Sequence, residues 1–438
     1  LVAKCQGSDS FSDETFDNFV EETANIIQNY DWETFTTTNL QLDEKQVDNT
    51  ASLIETLCTA CSTSSRPHLL NKHKNIWFCL GKLLEASKPT EELSNFKDAV
   101  PPDMMAKLLA AAQKGEKISK KDMEMPASEK EITEEEKRGK KLLQNWLRLR
   151  RAIFGVLRNA LRFPDTNKLK ENIVEQLNIV PLLARVCSDI LEEGVNVSYS
   201  FTILRFLVSN EMEGDKNVEK WQLVVCSECL EDDVLDFIIG SSVTSRVIHL
   251  PDDTKLWVHM EATRLLIPLI LICEKEKLPP LLLSTRALCD GILMTRNIPM
   301  HIEIGRCLLR LIEDAPNASR AVFKKEGSDS VRPLDLMVEF NEQRMVSSSL
   351  GMLVVSTNAF LSSGDEQGKQ AALLALRLLN YVGEKCADQL LAQNAEEILS
   401  TIGNAIPEAN DVLAFIQSST KIPPAPPTQP SKWFFCPP

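Results

Sequence analysis

A helix–break–helix pattern recurs along this chain and limits the folds that the chain can adopt. One copy, VLRNALRFPDTNKLKENIVEQLNIVPLL at residues 156–183, has an amphipathic helical stretch, a polar break and a second helical stretch that leads to Pro181. A second copy at residues 309–337 repeats the Leu-Arg pair and places Pro333 at the same offset, and a third at residues 376–402 is slightly shorter. A helical pair of this kind exposes an apolar face that it cannot cover alone, so neighbouring units have to stack.

Weaker copies of the pattern begin near residues 51, 203, 262 and 348. An arginine marks the register of the copies, and we call these five the register arginines: Arg158, Arg205, Arg264, Arg310 and Arg377. A helical bundle is the other all-α solution, but it does not account for a recurring Leu-Arg register or a fixed proline offset. The sequence therefore predicts an all-α chain that folds as a solenoid of helical hairpins.

The best-preserved copy resembles the armadillo repeat, through its VLRNAL helix, Asn167 in the turn and the IVPLL step. The glycines that usually precede the proline of that repeat are replaced here by Leu-Asn-Ile at residues 177–179. The resemblance covers residues 50–95 and 141–418, and HEAT repeats are the alternative for the weaker copies. It implies a right-handed superhelical armadillo/HEAT-like solenoid. The last helix of each unit would line a concave groove that holds an extended peptide or a folded partner.

Armadillo arrays of the importin type bind basic signals through tryptophans and asparagines on that last helix. Asn159, Asn210 and Asn380 lie near the corresponding positions of this chain. The tryptophans that would stand four residues earlier are replaced by Gly155, Phe206 and Leu376. We therefore do not expect this chain to recognise nuclear-import signals.

Composition divides the chain into four segments. Residues 1–95 are predicted to form an N-terminal helical lobe with one degenerate repeat, and residues 142–418 the armadillo-like array. Residues 96–141 are predicted to be a flexible insertion, because a stretch rich in charge and poor in large apolar residues cannot offset the entropy lost on ordering. Residues 419–438 form a tail that is rich in proline and ends in an aromatic cluster.

The tail carries two signals of binding. Its prolines favour the extended polyproline II conformation, which aromatic-lined grooves recognise. Trp433, Phe434 and Phe435 follow them and are costly to leave in water, so we expect the cluster to dock on another surface. That surface is either the chain's own solenoid or a partner, and the sequence leaves both alternatives open.

Composition and charge exclude several classes of protein. Apolar residues make up 43% of the 438 residues and glycine only 16, which favours a helical chain with a large core. The net charge of −14 argues against a general nucleic-acid binder, because lysine and arginine supply affinity for phosphate. No apolar run reaches the roughly 20 residues that a membrane-spanning helix needs. The twelve cysteines lie mostly in apolar helical stretches, which suits a reducing compartment, so we expect a cytoplasmic protein.

No constellation of catalytic or metal-binding residues emerges. The pairs Cys58/Cys61 and Cys226/Cys229 have metal-ligand spacing, but they are far apart in the sequence and lie in helical patterns, where cysteines three apart fill one buried face. The sequence has no HExxH, GxSxG or phosphate-binding loop motif. We therefore predict that the chain is not an enzyme and has no metal or cofactor, with an enzyme of unrecognised site as the alternative.

These observations predict a non-catalytic scaffold or adaptor that binds another protein. Through the resemblance, a regulator of guanine-nucleotide exchange on a small GTPase is one specific form of this role, and a co-chaperone bound to a chaperone lobe is the alternative. The negative net charge favours a partner with a basic segment. The candidate partner-binding residues are Arg158, Asn159, Arg205, Asn210, Arg264, Arg310, Arg377, Asn380, Trp433, Phe434 and Phe435. For the arginines the alternative role is structural, as caps of carbonyl groups or as partners of acids between repeats.

Overall fold

The structure is a computed structural model, and it describes residues 13–29, 44–62, 70, 72–86, 134–163, 166–187, 194–209, 218–243, 252–323 and 329–420. The predicted all-α class is confirmed, since sixteen α-helices make up most of this part of the chain. In chain order they are α1 (Asp13–Gln28), α2 (Glu44–Ala60), α3 (Lys74–Ala86), α4 (Glu134–Leu161), α5 (Asn167–Leu177), α6 (Ile179–Cys187), α7 (Gly194–Val208), α8 (Lys220–Cys229), α9 (Asp232–Ser242), α10 (Asp252–Ile272), α11 (Thr285–Met294), α12 (Ile298–Glu313), α13 (Pro333–Ser363), α14 (Glu366–Ala392), α15 (Ala395–Ile402) and α16 (Glu408–Ser419). The remaining elements are three short 3-10 helices, Lys275–Lys277, Pro279–Ser284 and Arg320–Phe323, and an antiparallel pair of two-residue strands, β1 (Ala318–Ser319) and β2 (Ser330–Val331).

The helices belong to two compact units, Leu1–Ala262 and Thr263–Pro438, whose boundary lies inside α10. The four segments predicted from composition stay predictions. Most of the charged insertion, residues 96–133, lies outside the described residues, as does the tail from residue 421.

Local sequence signals explain where a helix such as α12 begins and which face it buries. Asn297 precedes the helix, and its side chain accepts a hydrogen bond from the Met300 backbone amide at 2.9 Å. Pro299 occupies the first turn, where a backbone N–H has no partner within the helix. Ile304, Leu308 and the other buried apolar residues of α12 then recur at spacings of three and four, which keeps them on one face.

Two helices of the first unit, α2 and α4, pack in parallel. Arg148 of α4 donates hydrogen bonds to Asp48 and Glu55 of α2, both at 2.6 Å. Further along both helices, Asn159 donates to the Cys58 carbonyl oxygen at 3.1 Å. Because the residue numbers rise together on the two helices, α2 and α4 run in the same direction.

The second unit repeats this arrangement. The Cys307 thiol of α12 donates to the Ile267 carbonyl oxygen of α10 at 3.6 Å, and further along Arg310 donates to the Cys273 carbonyl oxygen at 2.6 Å. The second-unit part of α10 and α12 are therefore also parallel. Within each unit, the described helices that pack extensively are separated by no more than two intervening helices in chain order.

The longest described helix, α13, lies in the core of the second unit. Its backbone leaves helical geometry at Asn341 (φ −141°, ψ 24°), where two helical segments meet. Among the described helices it is the one that is long and apolar enough to cross a membrane by length and composition alone, with a mean hydropathy of 1.3. Half of the apolar stretch of α13 is buried, and the helix packs against α11, α12 and α14. This is the environment of a core helix, and core helices meet the same criteria of length and composition.

Two asparagines with left-handed backbone geometry join consecutive helices. Asn178 (φ 44°) lies between α5 and α6, and Asn394 (φ 61°) immediately precedes α15. A positive φ is strained for most residues, whereas glycine adopts it freely and asparagine tolerates it. Asn178 is the central residue of the Leu-Asn-Ile segment at residues 177–179, and it supplies a backbone conformation for which glycine is normally used.

Replacing Asn178 with Ala is expected to lower the free energy of unfolding of the first unit by about 1–2 kcal/mol, the cost of left-handed geometry for a residue with a Cβ. The control Asn178→Gly adopts this geometry without strain, so its loss should stay below about 0.5 kcal/mol. Denaturant unfolding of both variants checks this expectation. Equal losses would show that the asparagine side chain matters rather than its backbone conformation.

His301 is a fully buried side chain of α12 that satisfies carbonyl groups at the end of α11. Its Nε2 lies 3.2 Å from the Ile292 carbonyl oxygen and 2.8 Å from the Thr295 carbonyl oxygen. Since carbonyls only accept, Nε2–H donates to both. Burial lowers the pKa of His301 from its ordinary 6.5 and outweighs the two carbonyls, which raise it. The neutral ring is therefore the stable native form.

Acidification is expected to destabilise the second unit through His301. The unfolded chain takes up the proton at a higher pH than the folded chain does. The stability contributed by the neutral, buried His301 is therefore complete above about pH 6.5. It is lost as the pH falls toward the lowered pKa of His301 in the folded state. Denaturant unfolding at about pH 7.5 and about pH 5 should show a smaller loss for His301→Gln than for the unmodified protein. The same loss in both proteins would contradict this assignment.

Candidate functional site

Arg310 has a structural role in the second unit. Its Nη1 donates to the Leu271 carbonyl oxygen, and its Nη2 donates to the Cys273 carbonyl oxygen at 2.6 Å. These carbonyls lie at the C-terminal end of α10, where backbone acceptors lack partners within the helix and a positive charge is favourable. The Arg310 side chain is only 23% exposed. Arg310 thus caps a neighbouring helix, the role that the sequence analysis gave as the alternative to partner binding.

Three other register arginines have different surroundings. Arg205 Nε lies 3.8 Å from the carboxylate of Glu261, in the first unit. Arg377 Nη2 lies 2.6 Å from the carboxylate of Glu313, at the surface of the second unit. Arg264 is half-buried on the second-unit part of α10. Arg205 and Arg377 therefore both have acidic partners within the chain.

The predicted asparagines do not form a common row either. Asn159 donates through Nδ2 to the Cys58 carbonyl oxygen at 3.1 Å and is 3.4 Å from the Cys58 sulfur, so it links α4 to α2. Asn380 is exposed on α14 in the second unit. Asn210 and the aromatic cluster at residues 433–435 lie outside the described residues.

The three positions at which tryptophans would stand in an importin-type array belong to the core. Phe206 and Leu376 are buried. A Cβ atom at Gly155 would come within 2.6 Å of the Cys58 sulfur. A side chain at position 155 would therefore displace the Cys58 thiol, and a large ring does not fit between α2 and α4 there.

Arg158 contacts an aromatic pair that reaches the surface, whereas the guanidinium carbon of Arg205 lies 4.8 Å from the ring centre of the buried Phe206. The guanidinium carbon of Arg158 lies 4.8 Å from the centre of the Tyr199 ring. Tyr199 meets Trp257 edge-to-face, with ring centres 5.8 Å apart and an interplanar angle of 87°. We call these three side chains, on α4, α7 and the first-unit part of α10, the Arg–Tyr–Trp ladder. Arg158 and Tyr199 are half-buried, Trp257 is 38% exposed and Leu256 beside it is also exposed. Such a cluster of apolar surface in water is typical of a binding site.

A buried polar layer holds the ladder in place. Glu261, only 5% exposed, accepts a hydrogen bond from the Thr202 hydroxyl at 3.0 Å and lies 3.8 Å from Arg205 Nε. A buried carboxylate is costly unless it is paired, so these contacts fix the register of α10 against α7. Trp257 lies one helical turn before Glu261, and Tyr199 one turn before Thr202. The same register therefore brings the two rings together.

The α4 end of the ladder is rich in arginine although the chain as a whole is acidic. Between residues 151 and 162 the chain carries the exposed Arg151 and the half-buried Arg158 on α4, the exposed Arg162 just after α4, and no acidic residue. The only charged residue of α7 is Arg205. At the other end of the ladder, Asp253 is exposed one turn before Trp257. Positive charge is thus concentrated at the α4 end, and apolar surface at the α10 end.

Tyr199 and Trp257 were not identified from the sequence, although a signal for them exists. Tyr199 precedes the register arginine Arg205 by six residues, and Trp257 precedes Arg264 by seven. Both aromatics therefore stand about two helical turns before a register arginine. A search for aromatics at that spacing, rather than four residues before an asparagine, would have found them.

The described cysteines behave as core residues. Cys226 and Cys229 are both buried on α8, and burial raises the pKa of the Cys229 thiol well above its ordinary value. In the second unit burial likewise raises the pKa of Cys289, to about 12. A thiol that stays protonated is a poor nucleophile and a poor metal ligand. Among the described residues, no group of three or more His, Cys, Asp or Glu side chains is placed to hold a metal ion.

The Arg–Tyr–Trp ladder is therefore the candidate site with the most definite geometry in the described part of the chain. It combines exposed aromatic surface, a fixed arrangement of side chains and an arginine-rich end on a chain that is acidic as a whole. Comparisons of the chain with models of known protein families, with curated proteins and with solved structures found no match.

Proposed function

We propose that this chain is a non-catalytic scaffold or adaptor and that the Arg–Tyr–Trp ladder of its first unit binds a protein partner. The half-exposed ladder is the observation that carries this proposal. Aromatic and arginine side chains supply most of the binding energy at protein interfaces, because they bury a large area and make directional contacts. The Glu261–Thr202 hydrogen bond holds the ladder in place before binding, so that little conformational entropy is lost when a partner arrives.

We further propose that each unit is a right-handed armadillo- or HEAT-like solenoid. Three observations support this fold: the parallel stacking of α2 with α4 and of α10 with α12, the packing of helices that are close in chain order, and the left-handed asparagine where the armadillo repeat has glycine. In a solenoid of this type the last helix of each repeat lines the groove. The ladder helices α4, α7 and α10 would occupy that place.

The resemblance suggests two classes of partner, a small GTPase undergoing guanine-nucleotide exchange and a chaperone lobe. Capture from cell extract with and without added GDP or GTP separates them. A GTPase recovered mainly without nucleotide supports exchange, because an exchange factor binds the empty state best. A partner that is insensitive to nucleotide supports a scaffold or co-chaperone role. We place this activity in the cytoplasm, and the burial of most of the described cysteines, which act there as small apolar side chains, supports that location.

Site-specific photo-crosslinking tests whether the ladder binds a partner. A photoreactive phenylalanine is placed at position 257 in one protein and at position 78 in another. Phe78 is the matched control, because it is an exposed aromatic (45%) of the same unit on a helix outside the ladder. We expect a discrete protein adduct in cell extract from position 257 and little from position 78. Equal adducts at both positions, or adducts at position 78 alone, would contradict the proposal.

A further inference from the structure

The two ends of the ladder differ in chemistry, and the distance between them is short. The exposed Trp257 and Leu256 form an apolar end, whereas Arg158, between the exposed Arg151 and Arg162, forms a positive end. The distances of 4.8 Å from Arg158 to Tyr199 and 5.8 Å from Tyr199 to Trp257 add to about 10.6 Å. The guanidinium carbon therefore lies within that distance of the Trp257 ring centre. A ligand that contacts both ends needs an apolar group and an acidic group no more than about 10 Å apart.

An extended polyproline II segment meets this requirement. It has three residues per turn and rises about 3.1 Å per residue, so side chains three positions apart point the same way about 9.3 Å from each other. Proline rings also pack well on exposed aromatic side chains. A β-strand ligand would need a sheet edge, and the described residues of the first unit contain no strand. A helical ligand would need a long apolar groove, whereas the described residues contribute to the ladder surface only the half-buried Tyr199 and the exposed Leu256 and Trp257.

The charge distribution favours an acidic protein segment over other anions. The net charge of −14 repels a long polyanion such as a nucleic acid. A single carboxylate placed beside Arg158 lies well within the screening length of that guanidinium, about 8 Å at physiological salt, whereas the distant acids of the chain are screened. The basic segment favoured by the net charge is therefore not the ligand expected at this surface.

We propose that the ladder binds a polyproline II segment of its partner in which a proline and an acidic residue are three positions apart. The proline packs on Trp257, and the carboxylate pairs with the guanidinium of Arg158. This inference rests on the proposed function and adds the chemistry of the partner. The chain's own tail, residues 421–438, has the prolines but no acidic residue, so it is expected to be a weaker ligand.

Calorimetric titration of the full chain with synthetic peptides tests this proposal. The peptides are capped, proline-rich and about ten residues long, and they carry a proline and a glutamate three positions apart in either order. Controls replace the glutamate with glutamine or lysine, or move it by one position. We expect a peptide with one of the two orders to bind. Glutamine in place of glutamate should weaken its affinity about tenfold, and lysine should weaken it further. Moving the glutamate by one position should weaken the affinity about fivefold or more.

Variants of the protein assign the two contacts. Arg158→Ala is expected to abolish the difference between the glutamate and glutamine peptides, and Trp257→Ala to weaken both peptides by the same factor. Phe78→Ala, the matched control, should leave both affinities unchanged. Equal binding of the glutamate, glutamine and lysine peptides would overturn the proposal, and so would tighter binding of a peptide with the tail sequence.

The outcomes also separate this inference from the function on which it rests. If no peptide binds while position 257 still crosslinks a protein, the proline–acid ligand is wrong and the ladder remains a partner-binding surface. If no peptide binds and position 257 gives no adduct, both proposals are wrong.

Discussion

Replacing Arg310 with Ala is expected to lower the free energy of unfolding of the second unit by about 2–4 kcal/mol, because a charged donor that serves two half-buried carbonyl groups is lost. The carbonyls of Leu271 and Cys273 at the end of α10 would then lose the guanidinium that satisfies them. Denaturant unfolding followed by circular dichroism measures the change.

Two variants control this prediction. Arg310→Lys keeps the positive charge but cannot form the fork that reaches both carbonyls, so an intermediate loss is expected. Arg377→Ala removes an ion pair at the surface, and such pairs typically contribute about 0–1 kcal/mol. A loss as large for Arg377→Ala as for Arg310→Ala would show that the two arginines do not differ in role.

Replacing Trp257 with Ala is expected to weaken partner binding by at least about 30-fold, which corresponds to about 2 kcal/mol. The indole supplies the largest exposed apolar area of the ladder, and its loss also removes the support of the Tyr199 ring. Because Trp257 is 38% exposed, the free energy of unfolding should fall by less than the roughly 3–5 kcal/mol that loss of a fully buried tryptophan costs. Surface plasmon resonance with the captured partner measures the dissociation constant for the variant and for the unmodified protein.

The matched control for this prediction is Phe78→Ala. Phe78 is also an exposed aromatic of the first unit, and its ring lies 4.7 Å from the Lys82 amine. Its loss should change the dissociation constant by less than about twofold, since surface residues outside an interface contribute little to binding. Equal weakening by Trp257→Ala and Phe78→Ala would mean that general loss of aromatic surface, and not the ladder, accounts for the effect.

The all-α class could be predicted because its signals are local. Apolar spacing of three and four, caps such as Asn297 and breaks near proline all act within a few residues of the chain. The unusual segment at residues 177–179 was also visible in the sequence. Its backbone geometry was not predicted, although asparagine is one of the few residues other than glycine that tolerate a positive φ.

The roles of the register arginines could not be predicted because they depend on distant parts of the chain. Arg158 and Arg310 follow the same Leu-Arg signal and occupy the same helical position. Arg310 finds two helix-terminal carbonyls, whereas Arg158 finds the ring of Tyr199. Sequence periodicity gives the direction of a side chain relative to its own helix but not the group that the neighbouring helix presents to it.

The pairing of Tyr199 with Trp257 has the same origin. These residues are far apart in the sequence, and their contact requires one register of α7 against α10. That register depends on the buried carboxylate of Glu261, which accepts from the Thr202 hydroxyl and lies beside Arg205. A charged residue in a helical pattern is ordinarily expected on the face exposed to solvent. The burial of Glu261 therefore becomes apparent only when the helices are assembled.

We distinguish a register arginine that binds a partner, Arg158, from one that stabilises the fold, Arg310. The most direct test compares the affinity of one captured partner for Arg158→Ala and for Arg310→Ala. Both are measured side by side at a temperature where both variants are folded. The proposed roles predict that Arg158→Ala weakens binding by about tenfold or more and that Arg310→Ala changes it by less than about twofold. Equal weakening by the two variants, or a loss confined to Arg310→Ala, would contradict the assignment of the Arg–Tyr–Trp ladder as the partner-binding surface.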